Sequence, residues 1–354
     1  IMPKENYEDL NELFATYFVS DLDSIGSLYF SKEVFDGTYP GYGSSYPDLQ
    51  GGLGLLFEQA RSRGLEQRTA YGKLTFPFTI RNQLVSGMAT IRAAVENRET
   101  LRRYQKDFFT SGLRNAAASR VRAYRFNAGG DANRLKAFLD KLLIHRVKVY
   151  RSGERDFTVP TDQPQYRMVQ TFFETYRRYQ DSVFYDASAW SLANFYNIDY
   201  SPQRRFRGGE EVRSLEGMFE ARLVEPSQYA YIIDGNDYNA TALLYRLQSE
   251  GLVLASAFKP FTTRVDGKEK SFDYGALVLP VQLQSKPPKL VYQLLKEAQE
   301  ALNVPAFAVA SGYHVSGVDL GSSNIRPLKK PKVALLIGEG VRSYEAGEVW
   351  HLLD

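Results

Sequence analysis

The sequence predicts an α/β fold in which strands alternate with helices. Residues 123–126 and 230–233 are strand-like runs, and each leads through a glycine-containing turn into a helical pattern and a further strand. The two runs are offset by 107 residues, whereas the later strand ends at Pro160 and Pro280 are offset by 120, which indicates an insertion of 13 residues in the second copy. Such alternation predicts tandem parallel sheets of flavodoxin-like type.

Composition excludes several classes of protein. The chain has 354 residues, 44% of them hydrophobic and 24% charged, which is typical of two or three globular domains. The net charge is +3 with both signs interspersed, so nucleic acid is not an expected partner. No apolar run approaches the roughly 18 residues of a spanning helix, and no targeting segment is recognised at residues 1–7.

The absence of cysteine limits the chemistry further. With no cysteine, the chain has no disulfide, no thiolate metal site and no cysteine nucleophile. The chain has three histidines, His145, His314 and His351, and none lies among residues 1–144. Ser311, His314 and Asp319 contain the residue types of a hydrolytic triad, but three residues crowded on one loop seldom meet its geometry.

The first region of the chain combines helical patterns with one short apolar run. Apolar residues recur at helical spacing near the start, with Asn6 as the predicted N-cap, and again in a second, longer helix. Residues 36–52 are rich in Gly, Tyr, Ser and Pro, and residues 53–57 form an apolar, strand-like run that ends at Glu58. The helical positions are Leu10, Leu13, Phe14, Tyr17 and Phe18, then Leu84, Met88, Ile91 and Val95.

Two stretches, Tyr-Pro-Gly-Tyr-Gly-Ser-Ser-Tyr-Pro-Asp at 39–48 and Leu-Gly-Leu-Leu-Phe-Glu-Gln-Ala at 53–60, resemble the carboxypeptidase A-like (funnelin-type) zinc carboxypeptidases. Residues 76–83 resemble the element that closes the peptidase domain of this family. The similarity to its multidomain secreted bacterial branch extends to the end of the chain. The resemblance implies the C-terminal part of a mixed-sheet peptidase domain, followed by α/β units that also resemble class I glutamine amidotransferase-like domains.

The resemblance also implies roles for individual residues. Glu58 takes the position of the general base, which accepts a proton from zinc-bound water and returns it to the leaving amine. Tyr39 takes the position of the mobile tyrosine that caps the substrate, and Tyr42 is an alternative match for it. Tyr46 lies where the family lines the pocket for the terminal side chain. Without the motif, Glu58 reads as a glutamate at the end of a strand, paired with Arg61 or Arg63.

Zinc binding in this family needs a His-x-x-Glu pair and a later histidine, all upstream of the tyrosine loop. No histidine precedes Glu58, so zinc is expected in a longer parent protein and not in this chain alone. The chain accordingly reads as an internal fragment that is inactive by itself. Either the upstream half of the peptidase domain lies outside this sequence, or the domain is a remnant that never bound metal.

The predicted organisation has four parts: residues 1–117 are peptidase-like, 118–224 and 225–330 are α/β repeat units, and 331–354 begin a further unit, with a strand at 332–337 and a helix from Ser343. The expected activity of the parent is hydrolysis of C-terminal residues from peptides or proteins. The alternative is a non-catalytic scaffold or binding module of a cell-envelope complex. A third possibility, nucleotide binding, rests only on the glycine-rich turns. A secreted or periplasmic location follows from the resemblance alone.

Overall fold

Helices and antiparallel sheets make up the protein, so the mixed α/β class predicted from the sequence is confirmed. The computed structural model describes residues 2–31, 40–60, 62, 64–175 and 191–353. The chain divides into two units: unit 1 comprises residues 1–130 and 135–216, and unit 2 comprises residues 131–134 and 217–354. Within the described ranges, no helix has the length and apolar character needed to cross a lipid bilayer.

The first part of unit 1 is mainly helical. Its long helix α3 starts where the side chain of Thr75 accepts a hydrogen bond from the backbone N–H of Phe78, with Pro77 in the first turn. The elements are a π-helical turn at Asn6–Leu10, α1 (Asn11–Ser24), α2 (Tyr46–Leu49), a hairpin of β1 (Glu66–Thr69) and β2 (Gly72–Thr75), α3 (Phe76–Glu96) and α4 (Arg98–Ala118).

The second part of unit 1 contains a five-stranded sheet. Its elements are β3 (Ala123–Asn127), α5 (Ala132–Ile144), β4 (Tyr150–Arg151), β5 (Phe157–Pro160), α6 (Tyr166–Phe173), α7 (Leu192–Phe195), β6 (Asp199–Gln203) and β7 (Glu210–Glu211). The strand order is β6-β3-β5-β4-β7, and every neighbouring pair is antiparallel.

Unit 2 contains a second five-stranded sheet and a smaller three-stranded one. Its elements are β8 (Ala230–Ile233), α8 (Ala240–Ser249), β9 (Ala255–Ala257), β10 (Phe261–Val265), β11 (Lys268–Phe272), β12 (Leu277–Pro280), α9 (Pro288–Leu302), β13 (Ala306–Val309), β14 (Ser316–Gly317), β15 (Ile325–Pro327) and α10 (Ser343–Leu353). The larger sheet has the order β13-β8-β12-β9-β15 and the smaller one β11-β10-β14, again with antiparallel neighbours.

The two larger sheets share one topology, and it is not the predicted one. In each, the two strands joined by the first helix run in the same direction but are separated by a third strand, β5 between β3 and β4 and β12 between β8 and β9. This is the split β-α-β, or ferredoxin-like, arrangement. The prediction of parallel, flavodoxin-like sheets was therefore wrong. The hairpin β10–β11 lies between β9 and β12, where the second sequence copy carries its insertion.

Burial on both faces explains why these strands look parallel in the sequence. All residues of β8 are buried, because Tyr231 and Ile233 pack with α8 and α9 while Ala230 and Ile232 pack with Phe261 of the hairpin. Successive side chains of a strand point to opposite faces, so covering both faces produces an uninterrupted apolar run. Such runs are typical of parallel sheets, and here an antiparallel sheet has the same pattern.

Three other predicted strands differ from the structure. Paired residues begin only at Tyr150 and at Ala255, although Val147, Val149, Leu252 and Leu254 are buried as core residues before them. Residues 332–337 are exposed and belong to no strand, whereas the helix expected from Ser343 is present as α10. An apolar run of strand length thus identified core positions correctly but did not establish which residues find a strand partner.

Candidate functional site

A buried polar network holds the turn that precedes Glu58. Asn6 is 2% exposed, and its Nδ2 lies 3.1 Å from Asp48 Oδ1, 3.1 Å from Gly52 O and 3.0 Å from Tyr104 Oη. Asp48 Oδ1 also accepts a hydrogen bond of 2.7 Å from the N–H of Gly54. The predicted N-cap role of Asn6 was wrong: the residue ties the start of the chain to the turn at 48–54 instead.

Burial changes the acid–base properties of this network. It raises the pKa of Asp48 above its ordinary value of 3.8, although the hydrogen bonds from Gly54 and Asn6 act in the opposite direction. It also raises the pKa of Tyr104 to about 12. Both groups therefore favour their neutral forms more strongly in the folded protein than in the unfolded chain.

Gly54 fixes the start of the segment that carries Glu58. A Cβ atom at this position would lie 1.6 Å from the carbonyl oxygen of Ser44, which is far inside van der Waals contact. Only glycine permits this approach of two backbone segments. Residues 53–60 consequently leave the turn in a direction set by the Gly54 contact and by the Asp48 hydrogen bond.

Residues 53–60 form no assigned strand, contrary to the prediction for 53–57. Their burial nevertheless alternates, with Leu55, Phe57 and Gln59 partly buried and Leu56, Glu58 and Ala60 exposed. The ring of Phe57 packs edge-on against Phe18 of α1 with centroids 4.7 Å apart. The segment thus has the periodicity of a strand that packs on one face.

The side chain of Glu58 lies on the outward face of this segment and is exposed. The partial desolvation expected at the end of a buried strand is therefore not provided by the described residues, and that part of the prediction was wrong. The alternative partners Arg61 and Arg63 lie outside the described residues. The exposed position leaves Glu58 accessible to groups from outside this chain.

The tyrosines assigned to substrate binding have different surroundings. Tyr39 lies outside the described residues. Tyr42 is partly buried, and its carbonyl accepts hydrogen bonds from the N–H groups of Ser45 and Tyr46 at the start of α2. Tyr46 is 39% exposed, and its Oη lies 3.0 Å from Nδ1 of His145. The contact that the structure records for Tyr46 is with His145 and not with Glu58, and sequence reasoning missed it.

His145 follows α5, at the junction expected from the sequence, and its ring lies among aromatic groups. The ring centroid is 5.5 Å from that of Tyr46 and 5.8 Å from that of Phe172. Burial, together with the nearby positive charge of Lys141, lowers the pKa of His145 below its ordinary value of 6.5. The Tyr46 hydroxyl and Nδ1 of a neutral imidazole can form this hydrogen bond in either direction, depending on the tautomer.

Helix α3 exposes its large apolar side chains and buries its small and polar ones. The buried residues are Asn82, Ser86, Ala89 and Ala93, and the Asn82 amide donates a 2.7 Å hydrogen bond to Ser27 Oγ. The opposite face carries six apolar side chains that are 49% to 63% exposed: Phe76, Ile80, Leu84, Met88, Ile91 and Val95. We call this face the α3 stripe. The sequence predicted the helix from four of its residues, Leu84, Met88, Ile91 and Val95, but gave no sign that they face outward.

Zinc does not fit the residues of this chain that the structure describes. Among them, no group of three or more His, Asp or Glu side chains is arranged to hold a metal ion. A zinc site would need ligands from outside the residues that the structure describes.

The loop that contains Ser311, His314 and Asp319 does not form a triad. Nδ1 of His314 lies 2.5 Å from the carbonyl oxygen of Val318, and its ring stacks on Phe261 with centroids 4.3 Å apart. The Asp319 carboxylate accepts a hydrogen bond from the backbone N–H of His314 and not from the ring. The carboxylate therefore does not orient the imidazole, as catalysis by a triad requires.

Of the glycine-rich turns at 129, 235 and 338, the turn at Gly235 has a structural explanation. A Cβ on Gly235 would lie 2.0 Å from the carbonyl oxygen of Gly275, so this glycine is needed where two backbone segments meet. Its presence after β8 is thus accounted for without a bound phosphate.

Comparison with known proteins finds no family model, no curated relative and no solved structure that matches the chain. Sequence motifs and the geometry described above are therefore the grounds on which a function is proposed.

Proposed function

We propose that this chain is part of a zinc metallocarboxypeptidase, in which Glu58 acts as the general base during hydrolysis of C-terminal residues from peptides or proteins. The proposal rests on the resemblance of residues 39–48 and 53–60 to that family. One structural observation supports it: Glu58 projects outward from a segment of strand-like periodicity, beside a helix with an uncovered apolar face. Both features are expected of a domain that is completed by further residues.

The carboxylate chemistry follows from the position of Glu58. An ionised carboxylate takes a proton from the attacking water and delivers it to the leaving amine, so one residue serves both steps. Covering the segment with further residues removes water from around Glu58 and makes the carboxylate a stronger base. In this proposal the zinc ligands come from residues outside this sequence, and the 354-residue chain alone is inactive.

Export and partners belong to the same proposal. The resemblance to secreted bacterial carboxypeptidases supports a secreted or periplasmic location, with peptide or protein C-termini as substrates. Tyr39 is proposed to cap the bound substrate, while Tyr42 and Tyr46 line its site. Tyr46 also contacts His145, which gives it a competing structural role. A change in KM of the Tyr46→Phe variant would indicate that its hydroxyl also contributes to substrate binding.

The test is turnover by a longer form of the protein that includes upstream residues. Glu58→Gln keeps the size of the side chain but removes its basicity, so kcat should fall by about a hundredfold to ten-thousandfold with little change in KM. Glu66→Gln is the matched control, because Glu66 is an exposed glutamate whose recorded partner is Lys73, at 2.8 Å. Full activity of Glu58→Gln excludes the proposed base.

The second candidate is a non-catalytic scaffold or binding module, such as a component of a cell-envelope complex. It is favoured by the repeated split β-α-β topology, since neither copy has a group of His, Asp and Glu side chains among the described residues that could hold a metal ion. The sequence at 184–190 is rich in aromatic residues, which are as typical of a core as of a binding surface, and it lies outside the described residues. Stoichiometric zinc and efficient peptide trimming by the longer protein would count against this candidate.

A further inference from the structure

Residues 55–59 have the main-chain groups of an edge strand. Within the described residues, they make no backbone–backbone hydrogen bond, and no strand pairs with them. Hydrogen bonds hold both ends of the segment. The N–H of Gly54 donates to Asp48, and the carbonyl of Ala60 accepts a 3.3 Å hydrogen bond from the Thr79 hydroxyl. A held segment with unpaired N–H and C=O groups is a template for another strand.

The segment runs along one edge of the α3 stripe. A cavity of about 320 Å³ lies between residues 51–55 and the end of α3, where Thr90 and Ala94 line it. The other end of the segment meets α3 at Thr79, so the two elements run in opposite directions. At 100° per residue, Thr79, Thr90 and Ala94 lie within about 60° of the edge of the stripe.

The stripe is wide and apolar along its whole length. At 100° per residue its six side chains cover an arc of about 120°, which is typical of a helix that packs on a broad surface. A helix of 21 residues is about 30 Å long. Burying these residues is favourable, whereas the face that is already buried consists of small and polar residues.

We infer that residues 53–60 and the α3 stripe together bind an extended polypeptide strand with apolar residues at alternate positions. The strand pairs with the outer edge of the segment through main-chain hydrogen bonds, at a spacing of about 4.8 Å. Its side chains on one face then lie over the stripe. This is strand addition, in which main-chain pairing gives affinity and alternate side chains give specificity.

The apolar area of the α3 stripe favours an added strand over a second copy of the chain as its binding partner. Exposed halves of large apolar side chains contribute on the order of 100 Å² each, so the stripe alone offers roughly 600 Å². A standard stable interface buries about 800 Å² on each partner. Two copies packed stripe to stripe fall short of that area and leave residues 55–59 unpaired, whereas an added strand satisfies these groups and covers the stripe.

The inference does not depend on the peptidase proposal, since it uses the main chain of residues 53–60 and neither the Glu58 carboxylate nor zinc. The probe is a synthetic peptide of about ten residues, alternating Val or Ile with Thr and bearing Lys at its ends. Its binding to the 354-residue chain is measured by fluorescence anisotropy. The matched control peptide is N-methylated at alternate residues, which removes the donors of one edge without changing the side chains.

Protein variants locate the site. Leu84→Asp combined with Ile91→Asp should weaken peptide binding at least about tenfold, because both side chains leave the apolar surface. Ile144→Asp is the control, since Ile144 is an exposed apolar residue at the end of α5. Circular dichroism confirms that each variant is folded. The peptide is assayed on the 354-residue chain without added zinc, so a failure of this inference is distinguishable from a failure of the catalytic proposal.

Saturable binding that is lost in the double variant and with the methylated peptide supports the inference. It is overturned if the peptide does not bind, or if binding survives both changes. Tighter binding of an amphipathic helical peptide overturns it in favour of a helix in this position. A concentration-dependent dimer in sedimentation experiments, lost in the double variant and competing with the peptide, overturns it in favour of a second copy.

Discussion

Replacing Asp48 tests whether the network around Asn6 holds the segment that carries Glu58. Asp48 Oδ1 accepts one hydrogen bond from Gly54 N–H at 2.7 Å and another from Asn6 Nδ2 at 3.1 Å. In Asp48→Ala the buried N–H of Gly54 loses its partner, which costs about 1–3 kcal/mol. Asn6 keeps its two other acceptors, so most of the loss should come from Gly54.

Asp48→Asn separates the hydrogen bonds from the charge. The amide oxygen still accepts from Gly54 and Asn6, so stability at neutral pH should stay within about 1 kcal/mol of the wild type. The pKa of Asp48 is raised by burial, and the folded wild type therefore binds the proton more tightly than the unfolded chain does. The resulting stabilisation is complete below pH 3.8 and is lost as the pH rises through the folded pKa, whereas Asp48→Asn lacks this dependence.

The assay is urea denaturation followed by circular dichroism, across a pH series for the wild type and both variants. The free energy of unfolding of the wild type should fall relative to that of Asp48→Asn as the pH rises above 3.8. Equal stability of Asp48→Ala and Asp48→Asn at neutral pH would refute the reasoning, because it would mean that the Gly54 hydrogen bond contributes nothing.

Three further predictions concern neighbouring groups. Burial raises the pKa of Tyr104 from 10.0 to about 12, so the wild type should lose about 2–3 kcal/mol between these pH values, and Tyr104→Phe should show no such loss in alkaline denaturation. Removing the positive charge with Lys141→Gln should raise the pKa of His145 toward 6.5, measured by NMR titration; an unchanged value contradicts the contribution of that charge. Gly54→Ala should destabilise unit 1 by more than 1 kcal/mol, on the order of the cost of overpacking, and equal melting temperatures would contradict the close approach to Ser44.

Element types were largely predictable because helical and strand periodicity are local. Apolar residues at helical spacing identified α1, α3, α5 and α8, and the repeat offset identified two segments that fold with the same topology. The insertion inferred from the change of offset corresponds in position to the β10–β11 hairpin. Each of these features depends on residues close together in the chain.

Pairing was not predictable in the same way. The buried run at 230–233 indicates a strand covered on both faces, and either parallel or antiparallel neighbours produce that pattern. Residues 53–57 show the opposite case, since they have the composition of a strand but find no strand partner among the described residues. A strand is completed by residues distant in the chain, and the segment itself does not encode where they are.

The sequence by itself determined the positions of several helices, the repeated order of elements and the motif that singles out Glu58. Tertiary structure alone decided that neighbouring strands are antiparallel, that Asn6 and Asp48 hold the turn before Glu58, and that Tyr46 meets His145. It also decided which face of α3 is covered. The physical reason is that periodicity marks the apolar positions of one element, whereas burial requires a second surface, and the surface for the α3 stripe is not among the described residues.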